Sequence, residues 1–318
     1  MTGAVVTLGE ALIRLSVSDG RTLANARSLE LLVGGAEANV AVALARLGKR
    51  ATWISRVSRD PLGQRVVAEL RSHGVNCDHV TWAEQSRTGV YYTEIAPAPR
   101  GISVVYDRRG SAATGMSIDS VDLSPADHAA VVQVSGITAA LSDSCAETAA
   151  ALLARGRAGG AKCVVDVNFR AKLWSAEVAA STLRPMCAVA DVVVCTGEDA
   201  ADLFGVHFPS AEAVGQLTEI LSAPTVLLTD GANGVWLGHE GRAEHFAAIP
   251  TNTIDRIGAG DAFCAGLIAG ILENDLRHGV RLGQAMASLK HTMHGDHFLG
   301  TMADVERILG VKGRDVRR

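Results

Sequence analysis

The features that the sequence lacks exclude several classes of protein. No uninterrupted apolar run approaches the roughly 20 residues of a membrane-spanning helix, and the first residues lack the basic and apolar pattern of a secretory leader. The formal net charge is only -4, which gives no support for binding to nucleic acid or to anionic membranes. The string G-x-G-x-x-G is missing after the first predicted strand, so a nucleotide-dependent dehydrogenase is not expected.

Cysteine is scarce and scattered. The six cysteines contain no C-x-x-C pair. They are Cys77, Cys145, Cys163, Cys187, Cys195 and Cys264. Several lie within apolar strand or helix patterns, which favours buried free thiols over disulfides. Because free thiols indicate a reducing compartment, we expect a soluble, cytoplasmic protein that binds small molecules.

The order of predicted elements indicates an α/β fold. The 318 residues suffice for one large domain with a small appendage, and we expect a single domain spanning 1–318. From about residue 130, short β-rich runs alternate with helical patterns, which predicts a mainly parallel sheet with helices on both faces. Within 12–17 and 81–107, alternating apolar and polar residues predict further strands, and those of 81–107 are expected to be antiparallel. We expect these strands to form a small separate β-sheet, with bounds of about 10–33 and 81–110, that closes over a cleft as a lid.

A turn of small residues opens the most informative helix of the chain. Gly258, Ala259 and Gly260 come directly before Asp261 and an apolar run, 262–272. Free N–H groups at a helix start, together with the positive end of the helix dipole, form an anion site, and glycine permits the dihedral angles that such a turn needs. A carboxylate in the first turn either caps the helix or accepts a proton from a hydroxyl beside the bound anion. The residues alone leave both interpretations open.

Glycines and polar residues also gather where predicted strands end. They include Gly34, Gly35 and Asn39 in an early turn and helix, Arg170 in the middle of the chain, and Thr229, Gly231 and Gly234 near its end. In open α/β sheets, ligands bind outside the carboxyl ends of the strands. We therefore expect a ligand at this edge, although a surface salt bridge is an equally good interpretation of Arg170.

The predicted lid carries a second set of candidates. Arg108 lies in a basic string and can bind a carboxylate through two parallel hydrogen bonds. Tyr91 and Tyr106 occupy strand positions from which a hydroxyl could reach a polyol. From the residues alone, a solvated charge run and ordinary sheet packing are the commoner roles for these side chains.

The late string resembles the signature D-T-x-G-A-G-D-x-F of the ribokinase-like (PfkB) sugar kinases. The matching residues are Asp255, Gly258, Ala259, Gly260, Asp261 and Phe263. The early string from Gly34 to Asn39 is similar to the sugar-contacting motif of the same family. The resemblance implies a three-layer α/β/α fold with a small β-sheet lid, and it implies that Asp261 is the catalytic base while Gly258, Ala259 and Gly260 bind the transferred phosphoryl group.

Three further strings resemble the branch of the family that phosphorylates 2-keto-3-deoxygluconate. They are Tyr106-x-Arg108-x-Gly110-Ser111-Ala112-Ala113, Asp166-x-Asn168-x-Arg170-x-x-Leu173-Trp174 and 290–296. The resemblance implies that the substrate is bound by Gly34, Gly35, Asn39, Tyr91, Tyr106, Arg108, Arg170 and Asp296. Two departures are Asp107, where an aromatic residue is common, and His294, where proline is usual.

The resemblance also implies the cofactors. ATP is expected beside Thr229, Gly231 and Gly234. The family motif N-x-x-E for Mg²⁺ is imperfect here, so Glu198 or Asp199 would act through water. A monovalent cation is a further candidate cofactor. A homo-oligomer is expected because an exposed lid sheet would offer a strand edge, and unpaired edges are usually covered. The implied reaction is transfer of the ATP γ-phosphate to the terminal hydroxyl of 2-keto-3-deoxygluconate. The alternatives are a keto-deoxygalactonate kinase, a fructokinase, a ribokinase, or a non-catalytic sugar-acid sensor on the same fold.

Overall fold

The chain folds around one large, mainly parallel sheet. The computed structural model describes residues 3–17, 20–96 and 99–310. The strands in these ranges are β1 (Ala4–Leu8), β2 (Leu12–Ser16), β3 (Glu30–Gly34), β4 (Ala51–Ser58), β5 (Val80–Ala83), β6 (Val90–Ile95), β7 (Ile102–Asp107), β8 (Ala129–Ser135), β9 (Lys162–Asp166), β10 (Val192–Thr196), β11 (Thr225–Thr229), β12 (Val235–His239) and β13 (Arg242–Phe246).

The helices lie between and after the strands. They are α1 (Ala36–Arg46), α2 (Pro61–Ser72), α3 (Gly136–Ala139), α4 (Asp143–Ala158), α5 (Ala176–Ala188), α6 (Gly197–Phe204), α7 (Ala211–Leu221), α8 (Ala259–Leu272), α9 (Leu276–His291) and α10 (Met302–Ile308). None of these helices, in the part of the chain that the structure describes, combines the length and the apolar character needed to cross a membrane.

The nine-stranded sheet has the order β13-β12-β11-β10-β9-β8-β1-β4-β5. Every neighbouring pair from β11 to β5 is parallel, and the pairs β11–β12 and β12–β13 are antiparallel, so only β12 runs against the other strands. From β1 the chain winds outward through α1 to β4 and β5, and it later returns to β8 on the other side of β1. The direction of winding therefore reverses between β1 and β8, which is where α/β sheets bind ligands.

Helices cover both faces of this sheet. Val5 and Val6 are neighbours in β1, but their side chains belong to two separate hydrophobic clusters because successive strand residues point to opposite faces. One cluster includes α1, α8 and α9, and the other includes α4, α5 and α7. The predicted three-layer fold is confirmed, and all six cysteines are free and buried as expected.

Helix α8 carries the predicted anion turn and is buried on nearly all sides, as its almost wholly apolar sequence requires. Its backbone approaches that of α9 very closely at two glycines. A Cβ atom on Gly266 would lie 2.4 Å from the nitrogen of Gly283. The close contact fixes the position of the first turn of α8 against the rest of the core.

The small separate sheet has the order β3-β2-β6-β7, so the sequence correctly predicts its existence. β2 and β6 run parallel, and β6 and β7 run antiparallel as expected. Two details differ from expectation. β3 completes the sheet, although no strand is expected there. β5, expected in the lid, pairs with β4 in the large sheet, because a parallel neighbour is the usual outcome of a strand–helix–strand unit such as β4-α2-β5.

Candidate functional site

The turn before α8 has a conformation that requires glycine. Gly258 has a φ of 85°, in the left-handed region that glycine tolerates best. A Cβ atom at this position would lie 2.0 Å from the carbonyl oxygen of Asp296. By contrast, a Cβ atom on Gly260 would have no other atom within 4 Å. The turn is therefore tightly packed on one side and open on the other.

The open side presents free backbone donors. Within the described residues, the N–H groups of Gly258, Gly260 and Asp261 donate no hydrogen bond. Those of Ile257 and Ala259 are already engaged in hydrogen bonds of 3.0 and 3.2 Å within the turn. Ala259 therefore shapes the turn rather than offering its N–H group to a ligand. Three free donors at the positive end of a helix dipole can hold a phosphoryl group.

Asp261 lies in the first turn of α8 and is partly exposed. One of its carboxylate oxygens accepts a 2.6 Å hydrogen bond from Nδ2 of Asn39, at the start of α1. Burial raises the pKa of Asp261 to about 6, while the hydrogen bond from Asn39 and the charge of Arg170 oppose this rise. The carboxylate is thus held by a side chain from another helix, as a base needs, and it accepts no hydrogen bond from the first turn in the described chain.

A buried ionic network lies next to the turn before α8. The guanidinium of Arg14, on β2, donates 2.7 Å hydrogen bonds to the carboxylates of Asp255 and Asp296, and its side chain is only 1 % exposed. The Asp255 carboxylate also accepts a hydrogen bond from the N–H of Gly295. Because removing one partner would leave an unpaired buried charge, the network firmly fixes the segment on which Gly258 packs.

Tyr91 and Asp296, both expected to contact substrate, are joined to each other. The Tyr91 hydroxyl donates a 2.5 Å hydrogen bond to Oδ2 of Asp296, and Tyr91 is buried. Tyr106 stacks on Tyr91 with ring centroids 5.7 Å apart and stays exposed. A Cβ atom on Gly34 would lie 2.2 Å from Oδ2 of Asp296, so Gly34 provides the space that this pair occupies. Gly35 also has no room for a side chain, because a Cβ atom there would meet the backbone of Glu10 in the loop after β1.

The two predicted arginines have different surroundings. Arg108 is buried and ion-paired with Glu10, whose Oε2 accepts hydrogen bonds of 2.8 and 2.5 Å from Nε and Nη2. The other oxygen of Glu10 accepts a hydrogen bond from the Ser111 hydroxyl. Arg170 is exposed, and its one hydrogen bond within the described residues goes to the carbonyl oxygen of Phe169. Arg170 also acts electrostatically on Asp261, Asp166 and Asp199, but its guanidinium forms no ion pair within the described residues.

The similarities of the chain to known proteins agree with this geometry. The model of the pfkB family of carbohydrate kinases matches residues 3–299. The chain belongs to this family. It is 37 % identical over 310 residues to a 2-dehydro-3-deoxygalactonokinase of Haloferax volcanii, covering 97 % of each chain. It is 33 % identical to a 2-dehydro-3-deoxygluconokinase of Thermoproteus tenax, covering 92 % of this chain and 90 % of the relative.

A solved structure shares the whole fold. The 2-dehydro-3-deoxygluconokinase of Thermotoga maritima superimposes with a TM-score of 0.90 at 28 % identity, covering 98 % of this chain and 99 % of the other. The predicted family is therefore confirmed, and the chain is an ATP-dependent carbohydrate kinase. The preference of this kinase between the gluco and galacto sugar acids is a separate question, because relatives named for each epimer match it.

The nucleotide candidates of the kinase lie at the end of β11. Thr229 is its last residue, and Gly231 and Gly234 belong to the turn that leads into β12. Gly234 has a φ of 107°, and a Cβ atom there would lie 2.2 Å from the carbonyl oxygen of Phe246. The conformation and packing of this turn therefore require glycine at position 234, independently of any bound nucleotide.

The metal candidates of the kinase differ in accessibility. Glu198 is exposed at the start of α6. Asp199 is buried, and its Oδ2 accepts a 3.2 Å hydrogen bond from the N–H of Phe169. Asp166, at the end of β9, has a pKa raised well above its usual range by burial and by the charges of Asp261 and Asp199. A carboxylate whose pKa is raised by neighbouring carboxylates fits a nearby divalent cation, whose charge would relieve the repulsion.

Several residues around the candidate site have no role assigned from the sequence. They are Arg14, Glu37, Asp166, Asp255 and Lys290, and all but Arg14 lie within the strings that resemble the family. Glu37 is buried on α1 and accepts three hydrogen bonds from Ser135 and Thr138, which ties α1 to the end of β8. Lys290 is buried and bonded only to backbone carbonyl groups in the described structure. A lone charge in an apolar strand, such as Arg14 in Leu-Ile-Arg-Leu-Ser, is the signal that could have found this network.

Proposed function

We propose that the kinase transfers the γ-phosphoryl group of ATP to the terminal hydroxyl of a 2-keto-3-deoxy sugar acid. The observation that carries this proposal is one arrangement. A recessed carboxylate, Asp261, and free backbone donors lie together, and the exposed guanidinium of Arg170 is within electrostatic range. The carboxylate and donors suit phosphoryl transfer to a hydroxyl, and the guanidinium suits an acidic sugar.

Asp261 is proposed as the base that takes the proton from the attacking hydroxyl. Its pKa of about 6 leaves it mostly ionised at neutral pH and makes it a better base than an ordinary aspartate. Because the transition state of phosphoryl transfer is loose, positioning counts for more than proton abstraction. The hydrogen bond from Asn39 provides that positioning.

The donors of the α8 turn are proposed to stabilise charge on the transferred group. The N–H groups of Gly258, Gly260 and Asp261 are free to do so. Removing one donor of this kind costs about 3 kcal/mol of transition-state stabilisation in comparable sites. The small sheet is proposed to close over the bound sugar and exclude water that would otherwise hydrolyse ATP.

Arg170 is proposed as the main partner of the substrate carboxylate. Its guanidinium is exposed and has only a backbone carbonyl as hydrogen-bond partner in the described chain. Arg108 is proposed to assist through Nη1, since Glu10 already occupies its Nε and Nη2. Tyr91 and Tyr106 are proposed to line the same side, with Tyr106 the accessible member of the pair.

The identity of the sugar acid has two candidates. The motifs in the sequence favour 2-keto-3-deoxygluconate, whose product would be 2-keto-3-deoxy-6-phosphogluconate. The galacto epimer is the second candidate, because the Haloferax volcanii relative at 37 % identity is named for it. The epimers differ at one hydroxyl, so a single hydrogen-bonding group in the pocket suffices to discriminate between them.

ATP is proposed to lie along Thr229, Gly231 and Gly234, at the end of β11. Mg²⁺ would be held through water by Glu198 or Asp199, with Asp166 close by. When bound, the ion supplies positive charge to the phosphate oxygens. The kinase's own residues then need only orient the phosphates and keep Asp261 unprotonated.

A homo-oligomer is also proposed. Strand β7 is an edge of the small sheet, and it exposes Val105 and Tyr106. Exposed strand edges are usually covered in native proteins, and a second copy could pair there. Light scattering that finds only monomers at working concentration would contradict this part of the proposal.

The role of Arg170 can be tested by comparing two arginine variants. Arg170→Ala should raise KM for a keto-deoxy acid about 10- to 100-fold, the loss expected for a hydrogen bond to a charged group, with KM for ATP unchanged. Arg109→Ala removes another exposed arginine and is the matched control. Arg108→Ala is a poorer test, because it would leave Glu10 buried without a partner. A rise in the KM for ATP alone would assign Arg170 to the nucleotide.

A further inference from the structure

Three potential metal ligands meet on the side of the molecule where α2 ends. Glu69 and His73 are one helical turn apart, so their side chains lie on the same face of the helix. His297 comes from the segment after α9. One ligand atom from each of these three residues lies within 4.8 Å of the others.

His297 is the unusual member of this cluster. It is only 5 % exposed, and its buried Nε2 has no hydrogen-bond partner among the described residues. Its Nδ1 lies 3.7 Å from Oε1 of Glu69, too far for a hydrogen bond. Its ring meets that of His73 edge to face, with centroids 5.5 Å apart. Neither ring nitrogen therefore has a hydrogen bond among the described residues, and a buried polar group without a partner is costly.

A divalent transition metal of the zinc class would give a partner to Nδ1, the nitrogen of His297 that lies next to Glu69. Two imidazoles and one carboxylate form a common set of protein ligands for Zn²⁺, with a fourth position left to water. Tetrahedral geometry with metal–ligand bonds of about 2.1 Å places ligand atoms about 3.4 Å apart. The 3.7 Å between Oε1 of Glu69 and Nδ1 of His297 is already close to this value, so Nδ1 is the ligand atom of His297 and small side-chain movements complete the site.

The charges around the cluster also bear on binding. The two imidazoles would bind the ion in their neutral form. Arg65 lies 3.5 Å from Oε2 of Glu69, and the positive charge of Arg46 acts on His73. These arginines oppose a cation, while Glu69 contributes the one negative charge in its favour.

We propose that Glu69, His73 and His297 form a Zn²⁺-binding site separate from the kinase centre. The site would tie the end of α2 to the segment that carries Asp296. Since the carbonyl oxygen of Asp296 packs against Gly258, this tie would hold the support of the anion turn in place. The site therefore has a structural role, and its occupancy can be measured without reference to turnover.

The test is titration of the metal-free, full-length kinase with Zn²⁺, followed by calorimetry and by metal analysis after dialysis. Wild-type protein should bind one Zn²⁺ per chain at this site. His73→Ala and Glu69→Gln should weaken binding by more than the roughly 10- to 100-fold that outer-sphere partners contribute. His278→Ala is the matched control, since His278 lies 3.9 Å from Glu273 as an exposed pair without a third ligand; it should leave binding unchanged.

Thermal unfolding without metal checks that each variant is folded. Glu69→Gln keeps the shape of a partly exposed side chain, so it remains informative if His73→Ala is unstable. Excess Mg²⁺ should not displace Zn²⁺, because Mg²⁺ prefers oxygen ligands. Binding that is equally tight in wild type, His73→Ala and Glu69→Gln, or no binding by the wild type, would overturn the proposal and leave a buried water as the partner of His297.

Discussion

The Asp261→Asn variant should lose activity and gain stability at neutral pH. The pKa of Asp261 is raised from 3.8 to about 6 by burial, and each pKa unit corresponds to about 1.4 kcal/mol. The ionised carboxylate therefore costs the folded state up to about 3 kcal/mol above pH 6. At pH 4 most of this cost is gone, and it vanishes well below 3.8, where the carboxyl group is protonated in both the folded and the unfolded state. The free-energy cost of the ionised carboxylate increases as the pH rises from about 4 to about 6.

The amide of the variant carries no charge and its oxygen can still accept the hydrogen bond from Asn39. We expect the free energy of unfolding to rise by about 1–3 kcal/mol at pH 7.5 and to change little at pH 4. The value of kcat should fall about 10²- to 10⁴-fold, the usual contribution of a positioned base. Denaturant unfolding at the two pH values and steady-state ADP production measure the two effects.

The control for this experiment is Asp119→Asn, which removes an exposed carboxyl group. It should change neither stability nor turnover appreciably. Two results would refute the reasoning. Turnover of Asp261→Asn within tenfold of wild type would show that the carboxylate is not the base. An equal change in stability at both pH values would show that ionisation of Asp261 carries no cost in the folded protein.

The value of kcat/KM should fall as the pH drops through about 6, because protonation of Asp261 removes the base; a flat profile would contradict this. Asn39→Ala should move the midpoint to higher pH, since its hydrogen bond favours the charged carboxylate. Gly260→Ala should cost little stability, because its Cβ atom would meet no other atom. It should lower turnover, because the methyl group would extend into the open side of the turn, where the phosphoryl group is proposed to bind. Gly258→Ala should destabilise the protein, since its Cβ would lie 2.0 Å from a backbone oxygen; thermal unfolding and turnover assays compare the two variants.

The parts of the fold that sequence predicts well depend on local patterns. β1 and α2 are examples, since α2 begins at Pro61 with Asp60 as a cap whose Oδ1 accepts a 2.7 Å hydrogen bond from the N–H of Gly63. The anion turn is also local, because Gly258 and the helix after it are contiguous in the chain. Patterns of this kind need only backbone geometry and short-range hydrogen bonds.

The parts that sequence misses depend on distant contacts. β3 carries no strong strand pattern, and it forms because β2 offers a pairing edge. Arg14 meets Asp255 and Asp296 across more than 240 positions of sequence, so no local pattern reveals the network. Arg108 illustrates the same limit, since its string suggested a free guanidinium while Glu10, nearly a hundred residues earlier, pairs with it.

The preference of the kinase for an acidic sugar is the central claim, and one measurement tests it directly. Steady-state ADP production with Mg-ATP should be compared for 2-keto-3-deoxygluconate, its galacto epimer, gluconate, fructose and ribose. We predict that a keto-deoxy acid exceeds fructose and ribose in kcat/KM by more than about 100-fold, since a pocket with a free arginine leaves its charge unpaired when a neutral sugar binds. A higher kcat/KM for fructose or ribose would contradict the account and would require another role for Arg170.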